Sequence, residues 1–473
     1  MAKFMMIQLQ RAPYIGTAYL CGAVKEKGHE FCLLLYKNDA DTMLVIREEK
    51  PDIIGFSCMT GIHSDAVKIA DSIKRVYPGI PIILGGPHPT FFPEIIEESC
   101  IDIVCRGEGE EVIGEIMDAL NEGWEDGSKK IRLFKNLHVK INGEIIKNPQ
   151  RPLIDPLDNL PMLDWSCYKN TIILTASPVV LPIRGCPYNC TYCFNDGYKT
   201  LHKGLGKTIR ALSAERAVEE IKETIKVFAK NPVIFNSDTF GIDIAWMKSF
   251  LQKYSENVNL PFVVLLRPEL ATENVISTLA EYNCYCVAIG VESGSERVRK
   301  DILNRNYSNE LLFSVAERLH KYGIPFRTYN MLGLLSETEQ EIWDTININI
   351  KMKADFPRAA IFTPMPGTRM TAQAIKKGYL DFDFSYDDIP KTILEKTVLK
   401  NVDADKIKNY MYFFQTAVLF PKAGKLISKL VNYRPNIFYK IWFYFVYVYL
   451  HRKSEGRSLF SYIKYVLANR NYK

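Results

Sequence analysis

Two blocks of alternating strand and helix, split by a proline-rich stretch, constrain this chain more than any other feature. In the first block apolar runs fall at Phe4–Leu9, Glu30–Leu35, Ile53–Ser57, Ile80–Leu84 and Ile101–Cys105. Helix-patterned stretches such as Ala66–Val76 and Glu110–Leu120 lie between them. Strands that alternate with helices predict an α/β, doubly wound (Rossmann-like) parallel sheet. Ligands of such sheets bind beyond the carboxyl ends of the strands. Those ends read Ser57-Cys58-Met59-Thr60-Gly61, Gly85-Gly86-Pro87-His88-Pro89-Thr90 and Arg106-Gly107-Glu108-Gly109-Glu110. Glycines there let backbone approach a ligand closely. A hairpin follows over Leu137–Ile146, turning at Asn142-Gly143. Then come Pro149, Pro152, Pro156 and Pro161, which set the domain boundary.

From Val179 the alternation resumes, with strands at Val179–Ile183, Val233–Asn236, Phe262–Leu266, Tyr285–Ile289, Phe326–Met331 and Ala359–Thr363. Ala214–Val227, Glu310–Lys321 and Glu337–Lys351 read as helices between them. Six strand–helix units make a partial (β/α)6 barrel of the TIM type, since eight would be needed to close one. The expected organisation is a doubly wound domain at 1–148, a linker at 149–178, the partial barrel at 179–384 and a helical C-terminal region at 385–473.

Composition narrows the chemistry. At 473 residues, 47% hydrophobic and 24% charged, the chain reads as a soluble multidomain protein. No apolar run reaches the roughly 18 residues of a transmembrane helix, and Met1-Ala2-Lys3-Phe4 begins no signal-peptide pattern, so a cytoplasmic location is expected. Eleven cysteines without an export signal favour metal or redox chemistry over a disulfide framework.

The strongest chemical signal is Arg184-Gly185-Cys186-Pro187-Tyr188-Asn189-Cys190-Thr191-Tyr192-Cys193-Phe194. Cys186, Cys190 and Cys193 follow the first barrel strand at Cys-x-x-x-Cys-x-x-Cys spacing. Pro187 disfavours a helix, leaving a loop able to wrap a cluster. Thiolates suit iron–sulfur clusters or zinc. Structural zinc wants four ligands, usually as two separated pairs, and no second Cys-x-x-Cys pair exists. Three thiolates on a cubane leave one iron open to a ligand. Cysteines that hold no metal are the plainer alternative.

This segment resembles the signature of the radical S-adenosylmethionine (SAM) superfamily. The resemblance implies a 4Fe–4S cluster held by Cys186, Cys190 and Cys193, with SAM on the open iron. One electron from the cluster then cleaves SAM to a 5′-deoxyadenosyl radical. Tyr192 is implied to pack near the adenine. Later strand ends agree in order. Asn236-Ser237-Asp238-Thr239-Phe240 sits where the family grips the SAM amino group, with Asp238 the nearest match. Arg267, in Leu266-Arg267-Pro268-Glu269, is suited to the SAM carboxylate. Gly290-Val291-Glu292-Ser293-Gly294 is similar to a family segment whose Glu and Ser contact SAM. Gly333-Leu334-Leu335-Ser336-Glu337-Thr338 and Pro364-Met365-Pro366-Gly367-Thr368 continue the series, although Leu335-Ser336 replaces the family's Pro-Gly. Glu292 also reads, more plainly, as a helix N-terminal acid.

The first block resembles the cobalamin-binding domain that precedes the barrel in one branch of this superfamily. The implied cobalamin contacts are Ser57, Thr60, Gly85, Gly86, Pro87, His88, Gly107, Glu108 and Gly109. The Asp-x-His-x-x-Gly motif that ligates cobalt in better-known cobalamin domains is absent. The first strand runs instead into Arg11-Ala12-Pro13-Tyr14-Ile15-Gly16, and His63 lacks the motif's partners. A cobalamin here is expected without a histidine lower ligand. A domain that keeps the shape and binds no cobalamin is the alternative. Cys21, Cys32, Cys58, Cys100 and Cys105 are too scattered for the second cluster a methylthiotransferase needs, and no cysteine follows Cys286.

Residues 401–473 carry 13 Lys/Arg against 3 Asp/Glu and 18 of the 56 aromatics. Ile437–Leu450 is almost wholly aromatic and aliphatic, bounded by Arg434 and His451-Arg452-Lys453. Fourteen residues are too few to span a bilayer. Two readings stand open: a helix packed against the barrel opening, or an interfacial helix making peripheral membrane contact. No RNA-binding module is recognisable, and no nucleic acid is expected.

The resemblance implies a radical SAM enzyme, most directly a cobalamin-dependent C-methyltransferase acting on an unactivated carbon. Rearrangement, cyclisation or oxidation without methyl transfer is the enzymatic alternative, and a SAM or cobalamin sensor the non-enzymatic one. A small-molecule or lipid substrate and an electron donor such as flavodoxin or ferredoxin are the expected partners. No residue is assigned a catalytic role from sequence.

Overall fold

The computed structural model describes residues 1–169, 171, 176–228, 232–390, 396–457 and 462. Part of the expected linker (170, 172–175) and the end of the expected helical tail (458–461, 463–473) lie outside the described residues. The chain packs as two compact units. The first holds Met1–Ala176 and a segment that starts at His202; the second holds Ser177–Leu201 and the chain beyond that segment.

The first unit is built on a seven-stranded sheet. Its strands are β1 (Lys3–Gln8), β2 (Glu30–Leu35), β3 (Ile53–Ser57), β4 (Ile82–Gly85), β5 (Ile103–Cys105), β6 (Leu137–Ile141) and β7 (Glu144–Lys147), in the order β2-β1-β3-β4-β5-β6-β7. The first five run parallel, and the hairpin β6–β7 adds antiparallel to β5. Successive side chains of β1 feed two separate cores. Phe4 and Met6 pack with Ile53, Ile103 and Ile116, while Met5 and Ile7 pack with Ile54, Phe56 and Ile69. A sheet buried on both faces needs such apolar runs rather than alternation. The order places the topological switch between β1 and β3, where a ligand crevice opens at the carboxyl ends.

The second unit carries a six-stranded, all-parallel sheet in sequential order. Its strands are Val179–Val180, Val233–Phe235, Phe262–Leu266, Cys284–Glu292, Phe326–Leu332 and Phe356–Ile361. The expected first strand stops at Val180, and Ile183–Arg184 forms a separate short strand before the cysteine loop. The helices that follow strands two to six begin on Asp243, Thr272, Ser308, Thr338 and Thr368. Each of these side chains accepts a backbone N–H of its own first turn.

The helix Ala214–Val227 has its expected bounds but belongs to the first unit. Its inward polar groups explain this. Tyr19 donates to Glu220 at 2.6 Å, and Trp165 Nε1 donates to Thr224 Oγ1 at 3.0 Å. Both acceptors are buried, and side chains of the first unit donate to them.

The C-terminal helix Ile437–Ser454 buries Phe443, Val446 and Leu450 and packs beside the helix Ala404–Leu419, which lies on the sixth strand. Its far end is tied to the starts of strands four to six. Tyr285 donates to the Lys453 carbonyl, while Arg327 and Arg358 donate to Ser454 Oγ. Strand starts lie at the end of a barrel opposite its carboxyl ends, so this attachment does not cap the strand ends that carry the cysteine loop.

Candidate active site

The cysteine loop leaves Ile183–Arg184 through Gly185, whose φ of +90° is a conformation side-chain-bearing residues avoid. The Gly185 N–H donates to Asp238 Oδ2 at 3.0 Å, so the expected SAM-amino ligand fixes the base of the loop instead. The loop's middle is clamped from below. Thr191 Oγ1 donates to the Ile302 carbonyl, and the Met370 N–H donates to the Thr191 carbonyl at 3.0 Å. Lys199 donates to the Tyr188 carbonyl at 2.7 Å, and Arg369 Nε to Asp196 at 2.7 Å.

All three thiols are free: Cys190 is buried, Cys186 and Cys193 partly so. Burial, with Asp238 and Cys190 nearby, pushes the Cys186 thiol up, and burial beside Cys190 and Cys186 does the same for Cys193. Thiols that oppose one another's ionisation are suited to iron, whose charge offsets that repulsion. Among the described residues no three His, Cys, Asp or Glu side chains converge on a single-ion site. Three free thiols on one loop are a donor set that fits a 4Fe–4S cluster.

Two charged groups reach the loop from later strand ends. Arg267, after the third strand, donates to Cys190 Sγ at 3.1 Å, pairs with Glu269 at 2.6 Å and lies 3.6 Å from the ring centre of Tyr188. A guanidinium stacked on one face and paired on its edge is held in one orientation. Glu292, at the end of the fourth strand, adopts φ +65°, where the strand's register to its neighbour shifts. Its carboxylate accepts from Tyr192 at 3.2 Å and from Arg305 at 3.1 Å, and Arg305 also donates to the Gly290 carbonyl at 2.7 Å. Burial beside Glu292 pushes the Tyr192 hydroxyl well above the ordinary phenol range. A non-glycine residue held at positive φ costs roughly 1–3 kcal/mol and persists only where its surroundings over-determine it. The Arg305 fork supplies that constraint.

Of the five expected SAM residues, the structure brings Tyr192, Glu292 and Arg267 against the cysteine loop and sets Asp238 beneath it. Ser293 is fully buried, its hydroxyl accepting from the Ser295 N–H at 3.2 Å, so it braces the wall. Sequence reading missed Arg305 and Tyr188. Tyr188 lies inside the signature, but Arg305 is thirteen residues past its partner and no spacing rule marks it.

In the first unit the expected cobalamin residues gather at the ends of β3, β4 and β5. Gly86 has φ +94°, and a Cβ there would stand 2.9 Å from Ser57 Oγ and 3.0 Å from the Cys58 nitrogen. Thr90 Oγ1 accepts from the Gly107 N–H at 2.9 Å and donates to the Gly86 carbonyl at 2.8 Å, joining two loops. A Cβ on Gly107, at φ +76°, would stand 3.1 Å from His202 Nε2. Gly85 and Gly109 flank Cys105 without such crowding, and Pro87 opens a one-turn helix. Glu108 is committed elsewhere: it forms a two-pronged buried pair with Arg210, at 2.8 and 3.0 Å, and accepts from the Ile154 N–H. His88 is fully buried, stacked on His63 with ring centres 4.0 Å apart, its Nδ1 3.1 Å from Thr60 Oγ1. Burial, with His63 beside it, lowers its pKa to about 3. A histidine sandwiched this way is fixed in the wall. The glycines at the carboxyl ends of β4 and β5 fit a large planar cofactor whose polar arms meet backbone, and His88 and His63, stacked on each other in the wall, are not aimed outward as cobalt ligands.

Comparisons with known proteins agree with both halves. Residues 9–117 match the model of the B12 binding domain, and residues 180–348 that of the Radical SAM superfamily. An uncharacterised methyltransferase of Pyrococcus horikoshii is 29% identical over 384 residues, spanning 78% of this chain and 80% of that protein. The anaerobic magnesium-protoporphyrin IX monomethyl ester cyclase of Rubrivivax gelatinosus is 24% identical over 423 residues, spanning 85% and 74%. Among solved structures, the cobalamin-dependent SAM radical enzyme OxsB superposes with a TM-score of 0.68 at 15% identity, over 99% of this chain and 75% of that one. Residues 180–348 thus carry a radical SAM domain, and residues 9–117 a B12-binding domain ahead of it.

Proposed function

We propose that this enzyme is a cobalamin-dependent C-methyltransferase that acts on an unactivated carbon of a small-molecule or lipid substrate. The observation that carries the reading is the pairing of two cofactor cradles in one chain: a three-thiol loop fitted to a cluster, and the carboxyl ends of β4 and β5, lined by close-approach glycines with His88 and His63 stacked in the wall. The likeness to a methyltransferase-named protein over 78% of the chain supports it. When bound, the cluster and SAM supply the radical that removes the hydrogen, and cobalamin supplies the methyl group. Cys186, Cys190 and Cys193 hold the cluster. Arg267 and Asn195 donate to the sulfurs of Cys190 and Cys193. Tyr192 and Glu292 border the place that SAM would take, with Arg305 holding their orientation. Ser57, Gly85, Gly86, Gly107 and Gly109 admit cobalamin, and Thr60, Thr90 and His88 hold the shape of that crevice. A reductant delivers the electron.

The test is anaerobic turnover of the reconstituted enzyme with cobalamin, SAM and a strong reductant, reading 5′-deoxyadenosine and S-adenosylhomocysteine together by mass spectrometry. Both products, the second dependent on cobalamin, are expected. Deoxyadenosine alone overturns methyl transfer and favours a rearrangement, cyclisation or oxidation, a reading to which the 24% identity with a cyclase over 85% of the chain lends weight.

A further inference from the structure

The C-terminal helix Ile437–Ser454 is apolar on two faces, and among the described residues one of them stands largely open to solvent. Phe443, Val446 and Leu450 face the core of the second unit. On the other side Phe438, Ile441, Trp442, Phe445 and Tyr449 recur at helical spacing and stand in solvent, Phe438 at 77% and Phe445 at 68% exposure. Phe420, Leu426 and Tyr433 of the preceding turns are exposed as well. A soluble surface rarely leaves so large an apolar patch uncovered.

The charge around the patch names its occupant. From Lys406 to Ser454 the chain has nine Lys/Arg and no Asp or Glu. Lys422, Lys425, Lys429, Arg434 and Lys440 are all exposed. A second copy of this chain would bring like charge against like charge, which a self-complementary interface disfavours. An anionic surface with an apolar interior satisfies both features at once: tyrosines and tryptophan at headgroup depth, phenylalanines below, lysines on lipid phosphates. At 18 residues the helix is about 27 Å long, yet no helix among the described residues is long and apolar enough to cross a membrane. Lying flat is the geometry left to it. The helix is also anchored, since Arg327 and Arg358 hold Ser454 and Trp442 Nε1 donates to Thr416 Oγ1 at 2.8 Å. The patch is therefore presented on a fixed support.

We infer that this face docks the enzyme on anionic lipid bilayers. The test is flotation of the full-length, cluster-loaded enzyme with phosphatidylcholine vesicles, with and without one-fifth phosphatidylglycerol. The wild type co-floats with the anionic vesicles, and weakly or not at all with the neutral ones. Phe438→Ser with Phe445→Ser weakens binding by at least about tenfold, because two exposed phenyl groups no longer insert. Lys425→Glu with Lys429→Glu and Lys440→Glu weakens it on the order of 100-fold at low salt and less at high salt. All five residues are exposed, so both variants keep the wild-type iron content and circular dichroism. No flotation of the wild type, or equal flotation of wild type and variants, overturns the inference. So does a concentration-dependent dimer in light scattering that the phenylalanine variant abolishes, since a second copy would then own the face.

Discussion

The two units treat their helix starts in opposite ways. In the second, every helix after strands two to six opens on an Asp, Ser or Thr whose side chain accepts a first-turn N–H. In the first, the helices after β1, β3, β4 and β5 open on Tyr14, Ile62, Gly86 and Gly109, none with a side-chain cap. Asn38 caps the helix after the edge strand β2, and Ser213 caps Ala214–Val227, which follows no strand of this sheet. An uncapped start leaves backbone donors for water or a ligand. The uncapped starts share the carboxyl end of the sheet that includes the switch point, where ligands of this topology bind. The barrel instead satisfies its backbone itself and offers charged side chains: Arg267 on Cys190, and Arg305 on Glu292. Under the proposed function, one unit meets its cofactor with backbone and shape, the other with charge.

The contrast predicts where single substitutions bite hardest. The largest effect falls on the side-chain-built site. Cys190→Ala is expected to abolish cluster loading and deoxyadenosine formation, read as iron content and product, while cobalamin binding, read by absorbance, stays at the wild-type level. Loss of both would break the division of labour. Next comes a buried ion pair of the first unit, Glu108 with Arg210. Arg210→Met strands Glu108, a carboxylate with its side chain 10% exposed, and should destabilise the first unit by about 3–5 kcal/mol in denaturant unfolding. A loss below ~1 kcal/mol would mean that water replaces the guanidinium.

The same contrast explains what could be read from sequence. Bounds were legible where a segment is a short apolar run or has helical apolar spacing: Glu30–Leu35, Ile53–Ser57, Glu110–Leu120 and Ala214–Val227 have the predicted limits. Tyr192 and Glu292 were named from the resemblance and Arg267 from its strand end, and all three stand at the cysteine loop. Arg305 was not, since it reaches Glu292 across the irregular turn Val298–Ile302, and no periodicity records such a closure. Glu108 reads as a ligand contact in its glycine-rich loop, and only the fold shows that Arg210, 102 residues away, claims both its oxygens. Nor does sequence show that Ala214–Val227 packs on the unit before it, because the helix pattern is the same whichever core receives it.

Buried titrating groups give a smaller, pH-dependent effect, opposite in sign in the two units. In the second, burial raises Glu337 to about 7 although its carboxylate accepts the Gly333 and Leu334 N–H groups. The folded state therefore holds its proton where the unfolded chain has lost it, and stability falls as pH rises from about 4.5 to about 7. Glu337→Gln should remove that fall, a gain on the order of 2 kcal/mol at pH 8. In the first, His88 stays neutral down to about 3, so stability falls as pH drops below about 6.5. His88→Gln should flatten the acid limb. Denaturant titrations across pH check both, and slopes of the same sign would show that one of these groups is solvated.

The smallest expected effect isolates what charge contributes to the cluster itself. Arg267 Nη1 donates to Cys190 Sγ, and its stacking on Tyr188 and pairing with Glu269 leave the side chain little freedom to turn away. A cation donating to a ligand sulfur stabilises the more negative, reduced cluster. A charge-assisted hydrogen bond contributes about 1.5–3 kcal/mol. If roughly half of that distinguishes the two redox states, Arg267→Gln lowers the one-electron midpoint by about 60 mV. Arg267→Lys, which keeps the charge without the planar fork, should recover part of the shift. Spectroscopic redox titration reads both. A midpoint unchanged in Arg267→Gln would reduce the arginine to a support for the loop and leave the thiols and backbone to set the potential. Charge would then do less in the barrel than its concentration there implies, and the two units would differ less than their helix starts suggest.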